Sequence, residues 1–178
     1  MKFVVSTLPG VVVVEAEPHP DDRGFFARLY SPNEFGAAGI DFKPVQVNLS
    51  RNARRHTLRG MHYQDPPHAE AKLVQIVRGA AYDVVVDLRP ASPAYGNWVA
   101  FTLDSSAPPR AIYIPEGCAH GFLTLQPDTD ILYYMGRIYE PGHAKGFRWD
   151  DRRLAIKWPA EPMIISDADR AWPDFSRS

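Results

Sequence analysis

The sequence has a single cysteine, Cys118, no block of basic residues and no long hydrophobic run. One cysteine excludes an internal disulfide and every cysteine-rich zinc site. Twenty Lys and Arg balance twenty-one Asp and Glu, so the chain has no electrostatic footprint for nucleic acid, and a small solute is the expected partner. The apolar run at residues 11–14 is far too short to span a membrane.

The N-terminal residues 1–6 lack the apolar core of a signal peptide. A lone cysteine is compatible with a reducing compartment, where disulfides are rare. We therefore expect a cytoplasmic protein that makes no membrane contact.

Seventeen prolines, together with Gly, Asp and Ser, interrupt the chain at short intervals. Short apolar runs bounded by such residues are typical of many strands joined by turns, roughly ten of them here. A short helix is predicted at residues 32–38, capped by Ser31, and a helical turn at residues 167–171. We expect one all-β domain over residues 1–178, a jelly-roll barrel or sandwich with short peripheral helices that holds a small ligand at its mouth.

Two predicted strands have a polar face. In residues 57–64, alternation places His62 on one face with Gly60 and Gln64, and in residues 45–50 it places Gln46 and Asn48 together. A polar face inside a sheet protein is either a satisfied polar core or the wall of a pocket. In residues 82–89 the alternate valines are assigned to the core, so we expect Asp83 and Asp87 at the surface.

Several ionisable side chains are candidates for chemistry in such a pocket. His62 is a candidate general base, because histidine titrates near neutral pH. An acid of the C-terminal residues 165–170, Asp167 or Asp169, can orient it if that segment folds back; the alternative is that Asp167 caps a helical turn and Asp169 is a solvated acid within it. Lys72 lies among Leu and Val and either faces a developing oxyanion or extends its ammonium to solvent.

Other candidates depend on their surroundings. Either Tyr133 or Tyr134 must face inward, and a packed tyrosine with a bonded hydroxyl is the ordinary alternative to a general acid. His120 lies between Ala119 and Gly121, where a ligand can reach it. The guanidinium groups of Arg23 and Arg59 match phosphate oxygens, although either side chain can equally form a surface ion pair.

Taken together, several segments resemble the dTDP-4-dehydrorhamnose 3,5-epimerase family, over about residues 10–175. These segments are residues 22–26, 46–50, 58–64, 72–74, 83–89, 119–122 and 166–169. The resemblance implies a cupin-type jelly roll that forms a homodimer, usually with N-terminal strands contributed across the interface. It also implies a nucleotide-diphosphate 4-keto-6-deoxy sugar as the substrate, a role in polysaccharide biosynthesis, and no metal or other cofactor.

The resemblance also implies the catalytic roles. His62 would remove a proton next to the 4-keto group, with Asp169 as its paired acid. Lys72 would stabilise the enolate oxygen. Tyr133, thirteen residues after His120 as the family's tyrosine is, would return a proton from the opposite face. The substrate-binding positions by the same resemblance are Arg23, Phe26, Arg28, Gln46, Asn48, Arg59, His120 and Tyr139.

One position departs from the family pattern. Arg28 stands where relatives usually have a glutamate near the nucleotide base, and arginine only donates hydrogen bonds. We therefore hypothesise a nucleotide preference shifted away from dTDP, for example to a CDP- or GDP-linked sugar. The sequence leaves open whether one or two carbons, C3 and C5, are inverted.

Two other functional classes remain open. A metal-dependent cupin requires a His-x-His pair followed by Glu and a further His, but His62 is followed by Tyr63 and Gln64. A non-catalytic sugar-nucleotide-binding relative would need the arginines but not His62, Lys72, Tyr133 and Asp169 together. Solvent deuterium uptake into the sugar distinguishes this binding protein from an epimerase.

Overall fold

The computed structural model describes residues 1–176 and consists mainly of short strands. The strands are β1 (Lys2–Val5), β2 (Val12–Glu15), β3 (His19–Asp21), β4 (Gly24–Phe26), β5 (Gln46–Asn52), β6 (Leu58–Gln64), β7 (Lys72–Arg78), β8 (Ala80–Asp87), β9 (Trp98–Asp104), β10 (Arg110–Ile114), β11 (Cys118–Thr124), β12 (Thr129–Met135) and β13 (Ala144–Gly146). The helices are α1 (Pro32–Ala37) and α2 (Asp167–Arg170).

Two antiparallel sheets face each other. One has the strand order β1-β2-β10-β7-β12-β5 and the other β13-β6-β11-β8-β9. Their facing sides share a core that includes Val74, Ile112 and Ile131 from the first sheet and Val85 and Phe122 from the second. The all-β jelly-roll prediction is confirmed, as a two-sheet sandwich rather than a closed barrel.

The outer side of each sheet is partly covered. Phe35 of α1 and Phe42 pack with Leu73 on the six-stranded sheet. Leu154 and Phe175, from the C-terminal segment, pack against the five-stranded sheet. This second layer of packing brings the C-terminal segment back over the sandwich, so residues distant in sequence meet at one end of it.

Both helices form where the sequence predicts them. The Ser31 hydroxyl accepts a hydrogen bond from the Glu34 N–H at the start of α1, and Pro32 occupies its first turn, where the missing N–H has no helical partner to lose. Ser166 caps α2 in the same way. Within residues 1–176, no helix is long and apolar enough to cross a membrane.

The segment before α1 differs from the prediction. The polar residues 18–24 are typical of a loop and the apolar alternation of residues 24–30 of a core strand, but β3 and β4 form a separate short hairpin, in which His19 is opposite Phe26. The hairpin belongs to neither large sheet. Phe25 and Phe26 are 61% and 73% exposed, so among the described residues these two side chains are not part of the buried core.

Asp83 and Asp87 are not at the surface, and that prediction was wrong. Both are fully buried on the inner face of β8. The error arose because both faces of β8 are covered: Val84 and Val86 pack under the C-terminal segment, while the opposite face contacts the core between the sheets. Apolar alternation cannot identify the interior face of a strand that is buried on both sides.

A close contact between two glycines sets the spacing of β6 and β11. Gly60 has φ of +142°, and a Cβ at this position would lie 2.6 Å from Gly121 Cα. No L side chain fits this approach without displacing backbone. The contact allows β6 and β11 to pair closely, with His62 opposite His120.

We expect Gly60→Ala to lower the free energy of unfolding by about 2–6 kcal/mol, because backbone strain and overpacking each cost about 1–3 kcal/mol. Chemical denaturation measures the change. Gly36→Ala is the matched control, because a Cβ on Gly36, within α1, meets no atom within 4 Å. Equal unfolding free energies for the two variants would contradict the argument.

Candidate active site

A cavity of about 470 Å³ opens at one end of the sandwich, between the two sheets and the C-terminal segment. It is lined mainly by polar and aromatic side chains. The lining includes Asn48, Ser50, Arg59, His62, Tyr63, Gln64, Glu70, Lys72, His120, Phe122, Tyr133, Met135, Tyr139, Lys145, Asp169 and Trp172.

His62 and Asp169 form a close pair at the wall of this cavity. His62 Nε2 lies 2.5 Å from Asp169 Oδ1. The C-terminal segment places Asp169 there because Leu58 N–H donates to the Ile164 carbonyl at 2.8 Å and Ser166 then starts α2. The alternative of a solvated acid does not fit, since Asp169 is only 6% exposed.

The environment keeps the Asp169 carboxylate ionised. Burial raises its pKa, but the hydrogen bond and charge of His62, with a hydrogen bond from the Gly60 backbone, leave the pKa below its ordinary value. A carboxylate only accepts hydrogen bonds, so the imidazole proton lies on Nε2 and the lone pair on Nδ1. The pair therefore presents Nδ1 of His62 as a base.

Lys72 does not extend to solvent. Its cross-strand partners in the six-stranded sheet are Ile114 on one side and Met135 on the other, and Met135 in turn is opposite Gln46. The Lys72 side chain is 7% exposed. Lys72 Nζ lies 3.1 Å from Glu70 Oε1. The ammonium is thus held at the cavity wall by a buried carboxylate.

A second histidine–aspartate pair lies at the cavity wall, where His120 lines the cavity and Asp83 is buried behind it. His120 Nε2 is 2.8 Å from Asp83 Oδ2, and the two side chains are 5% and 0% exposed. His120 faces the interior because it lies within β11, two positions from Phe122 of the core between the sheets, and alternate side chains share a face. The buried position of Asp83 therefore serves this pair.

Tyr133 faces the cavity, whereas Tyr134 packs on the outer side with Tyr30 and Phe42. The Tyr133 ring contacts the His120 ring edge-on, with centroids 5.9 Å apart. Burial, reinforced by the charge of Asp83 and partly offset by Arg59, raises the pKa of Tyr133 well above its ordinary value. The phenol therefore stays protonated at neutral pH and can donate a proton.

The predicted substrate-binding residues divide into two groups. Asn48, Arg59, His120 and Tyr139 line the cavity, and the Arg59 Nε donates to Asn52 Oδ1 at 2.9 Å. Gln46 is beside them, with its amide donating to Asn48 Oδ1 at 2.9 Å.

Arg23, Phe26 and Arg28 do not line this cavity. Arg23 is exposed and pairs with Asp21 of its own hairpin. Phe26 belongs to the exposed hairpin. Arg28 Nη1 donates to Glu34 Oε1 at 2.8 Å. These three predicted binding residues all lie in residues 23–28, outside the cavity of their own chain.

Sequence reasoning missed three residues that line the cavity or support its wall. Asp83 was assigned to the surface, and Glu70, two positions before Lys72, was not identified as a candidate. Trp172, whose ring packs edge-on to His62 at 6.4 Å between centroids, had no signal. One sequence signal could have located Asp83: it alternates with Val85 and Asp87 along the strand, so the three side chains share one face.

The arrangement suits proton transfer. It places an oriented imidazole, a protonated phenol and an ammonium on one cavity, which are a base, an acid and an electrophilic partner. Among the described residues, no three His, Cys, Asp or Glu side chains are grouped as metal ligands.

Comparisons with known proteins identify the family. The model of the dTDP-4-dehydrorhamnose 3,5-epimerase family matches residues 5–177. A dTDP-4-dehydrorhamnose 3,5-epimerase of Pseudomonas aeruginosa is 39% identical over 178 residues, covering 99% of this chain and 97% of that protein. A dTDP-4-dehydrorhamnose 3-epimerase of Streptomyces niveus is 38% identical over 164 residues, covering 92% and 78%.

A solved structure of a family member supports the same assignment. The crystal structure of the Bacillus anthracis dTDP-4-dehydrorhamnose 3,5-epimerase, with TDP and PPi bound, superposes with a TM-score of 0.94 and 38% identity, covering 98% of this chain and 99% of that one. Fold, length and sequence match together over nearly the whole chain. The chain therefore belongs to the dTDP-4-dehydrorhamnose 3,5-epimerase family, and it is an isomerase of the epimerase class.

Proposed function

We propose that this protein epimerises a dTDP-linked 4-keto-6-deoxyhexose, inverting C3, C5 or both. A proton is removed from a carbon next to the ketone and another is returned from the opposite face of the ring. The single observation that carries the proposal is that the His62–Asp169 pair, the Lys72 ammonium and the Tyr133 phenol line one cavity.

Each step uses a group already poised for it. Nδ1 of His62 accepts the proton, and ionised Asp169 stabilises the imidazolium that forms. The Lys72 ammonium stabilises the negative charge that moves onto the ketone oxygen. Tyr133, which is protonated because its pKa is raised, gives a proton to the other face of the enolate. Each general acid–base step contributes a factor of about 10² to 10⁴.

Solvent deuterium uptake tests the proposal. In D₂O, a 4-keto-6-deoxyhexose linked to dTDP should gain deuterium at C3, C5 or both, which NMR and mass spectrometry locate. Uptake at one carbon or at two shows how many centres are deprotonated, and the configuration of the product shows how many are inverted. Binding of the sugar nucleotide without uptake would support the non-catalytic binding protein instead.

The nucleotide is proposed to be dTDP, although Arg28 suggested otherwise. Arg28 is paired with Glu34 and 63% exposed, and the relatives are named for dTDP-linked sugars. The comparisons therefore do not favour a shifted nucleotide preference. The Arg59 guanidinium, in the cavity, suits the diphosphate.

We predict that dTDP binds at least about tenfold more tightly than CDP or GDP, because a site that hydrogen-bonds one base leaves its polar groups unpaired with another. Calorimetric titration of dTDP, UDP, CDP and GDP measures the order. A clear preference for CDP or GDP would restore the hypothesis based on Arg28.

We also propose that a second copy of this chain covers the outer face of β5 and completes each cavity. Val47 and Leu49 are 56% and 60% exposed on that face, and contiguous exposed apolar surface marks interaction sites. The β3–β4 hairpin carries Arg23 and Phe26 outside their own cavity. In the dimer, these two residues would reach the partner's cavity, Arg23 at the diphosphate and Phe26 against the base.

Mixing two inactive variants tests this arrangement. Arg23→Ala removes a side chain that serves the partner's cavity, and His62→Asn removes one that serves the cavity of its own chain. If sites are shared across a symmetric dimer, random subunit exchange should restore about one quarter of wild-type activity, since half of the dimers are mixed and each has one intact site. No recovery, or a mass of one 20.0 kDa chain in sedimentation, would argue against it.

A further inference from the structure

Two hydrogen bonds and a terminal ion pair form a chain with a fixed direction that ends at Lys72. The Glu140 backbone N–H donates to Gln64 Oε1 at 3.2 Å. Gln64 Nε2 donates to Glu70 Oε2 at 2.8 Å. The other oxygen, Glu70 Oε1, lies 3.1 Å from Lys72 Nζ. The chain therefore runs from the rim of the cavity to the ammonium.

The direction of this chain requires a carboxylate at position 70. The Glu140 N–H can only donate, so it fixes the Gln64 amide with its oxygen outward and its Nε2 toward Glu70. Glu70 then faces two donors, Gln64 Nε2 on one oxygen and Lys72 Nζ on the other. An ionised carboxylate accepts both, whereas an amide has only one acceptor atom.

The Lys72–Glu70 ion pair is buried, so the loss of either partner would leave an unpaired charge. The Lys72 and Glu70 side chains are 7% and 8% exposed, and Glu70 is the single ion-pair partner of Lys72 within residues 1–176. A buried ammonium without its carboxylate is an uncompensated charge, which is strongly unfavourable. An ammonium has three N–H donors, so pairing with one carboxylate oxygen leaves donor capacity for a further acceptor.

We propose that Glu70 is a positioning residue for this reaction: it holds the Lys72 ammonium in the orientation that stabilises the enolate oxygen, while Gln64 and the Glu140 backbone hold Glu70. The inference rests on the proposed function. Glu70 acts through Lys72 and not on the substrate, so its loss should affect the chemical step more than substrate binding.

Two single variants separate these effects. We expect Glu70→Gln to lower kcat about 10-fold and Glu70→Ala about 100-fold, with KM changed less than about 3-fold, because misplacing a catalytic group slows chemistry rather than binding. The rate of deuterium uptake should fall in parallel with kcat. A raised KM with unchanged kcat would mean that Glu70 binds the substrate directly, and would overturn the proposal.

A double variant tests the direction of the chain. In Gln64→Glu/Glu70→Gln, the carboxylate at position 64 accepts from the Glu140 N–H and from the new amide, whose oxygen accepts from Lys72. Every hydrogen bond is restored with the same net charge. Because the carboxylate is then one side chain further from Lys72, we expect kcat to recover several-fold from that of Glu70→Gln without reaching wild type. A double variant no faster than Glu70→Gln would reject positioning through this chain.

Controls separate this inference from the proposed function. Glu161→Gln removes an exposed carboxylate and should match wild type, and circular dichroism measures the folded fraction of each variant. Wild-type enzyme without deuterium uptake would refute the proposed function alone.

Acetylation of Lys72, measured relative to that of exposed Lys157, then tests Glu70 directly. Lys72 should be acetylated several-fold faster in Glu70→Ala than in the wild type, and an equal rate in the two proteins would refute the inference.

Discussion

Replacing His62 with asparagine should abolish both epimerisation and solvent exchange. Asparagine has a similar size and can still bond Asp169, but it has no basic lone pair at neutral pH. Both activities should fall by a factor of about 10² to 10⁴ or more, the contribution of a positioned general base. Deuterium uptake measured by NMR, beside product formation measured by chromatography, gives the two rates.

His143→Asn is the matched control. His143 also pairs with a carboxylate, its Nδ1 lying 3.0 Å from Asp65 Oδ1, but it does not line the cavity. Its replacement should leave both rates near wild type. Full turnover in His62→Asn would remove the imidazole from its proposed role, and the His120–Asp83 pair would become the next candidate base.

Local sequence patterns predicted those parts of the fold that depend on neighbours in the chain. Alternation in residues 45–50 correctly grouped Gln46 and Asn48, because these two side chains lie together beside the cavity. Ser31 and Pro32 correctly marked the start of α1, because capping is a contact within one turn. These are short-range effects, so one sequence is sufficient to see them.

Contacts that depend on the whole fold were not available from such patterns. Asp169 meets His62 only because the C-terminal segment returns across the sandwich, and the family resemblance, not periodicity, suggested that pairing. Asp83 was misplaced because both faces of β8 are buried. Glu70 gave no signal because its role depends on the direction of the Gln64 amide, which a backbone donor fixes.

The position of the hairpin residues illustrates a different limit. Arg23 and Phe26 were predicted at the site, and within a single chain they are exposed and separate from the cavity. Residues that act across an interface cannot be placed by the packing of one chain. Their exposure, together with that of Val47 and Leu49, is why a second copy was proposed as the occupant of this surface.

Replacing Tyr133 with phenylalanine should separate exchange from inversion. The base on one face remains, so His62 can still remove a proton and return it, and deuterium uptake at the first carbon should continue within about 10-fold of wild type. Net inversion needs a proton from the opposite face, so turnover should fall by about 10² to 10⁴, the contribution of a general acid.

The neighbouring tyrosine provides the control. Tyr134 packs on the outer side of the sheet, and Tyr134→Phe should keep both rates near wild type. The raised pKa of Tyr133 also predicts that wild-type turnover shows no loss from phenol ionisation as pH rises to about 10, the ordinary tyrosine value. If exchange and turnover fall together in Tyr133→Phe, the phenol is needed to form the enolate, and the two-face assignment is wrong.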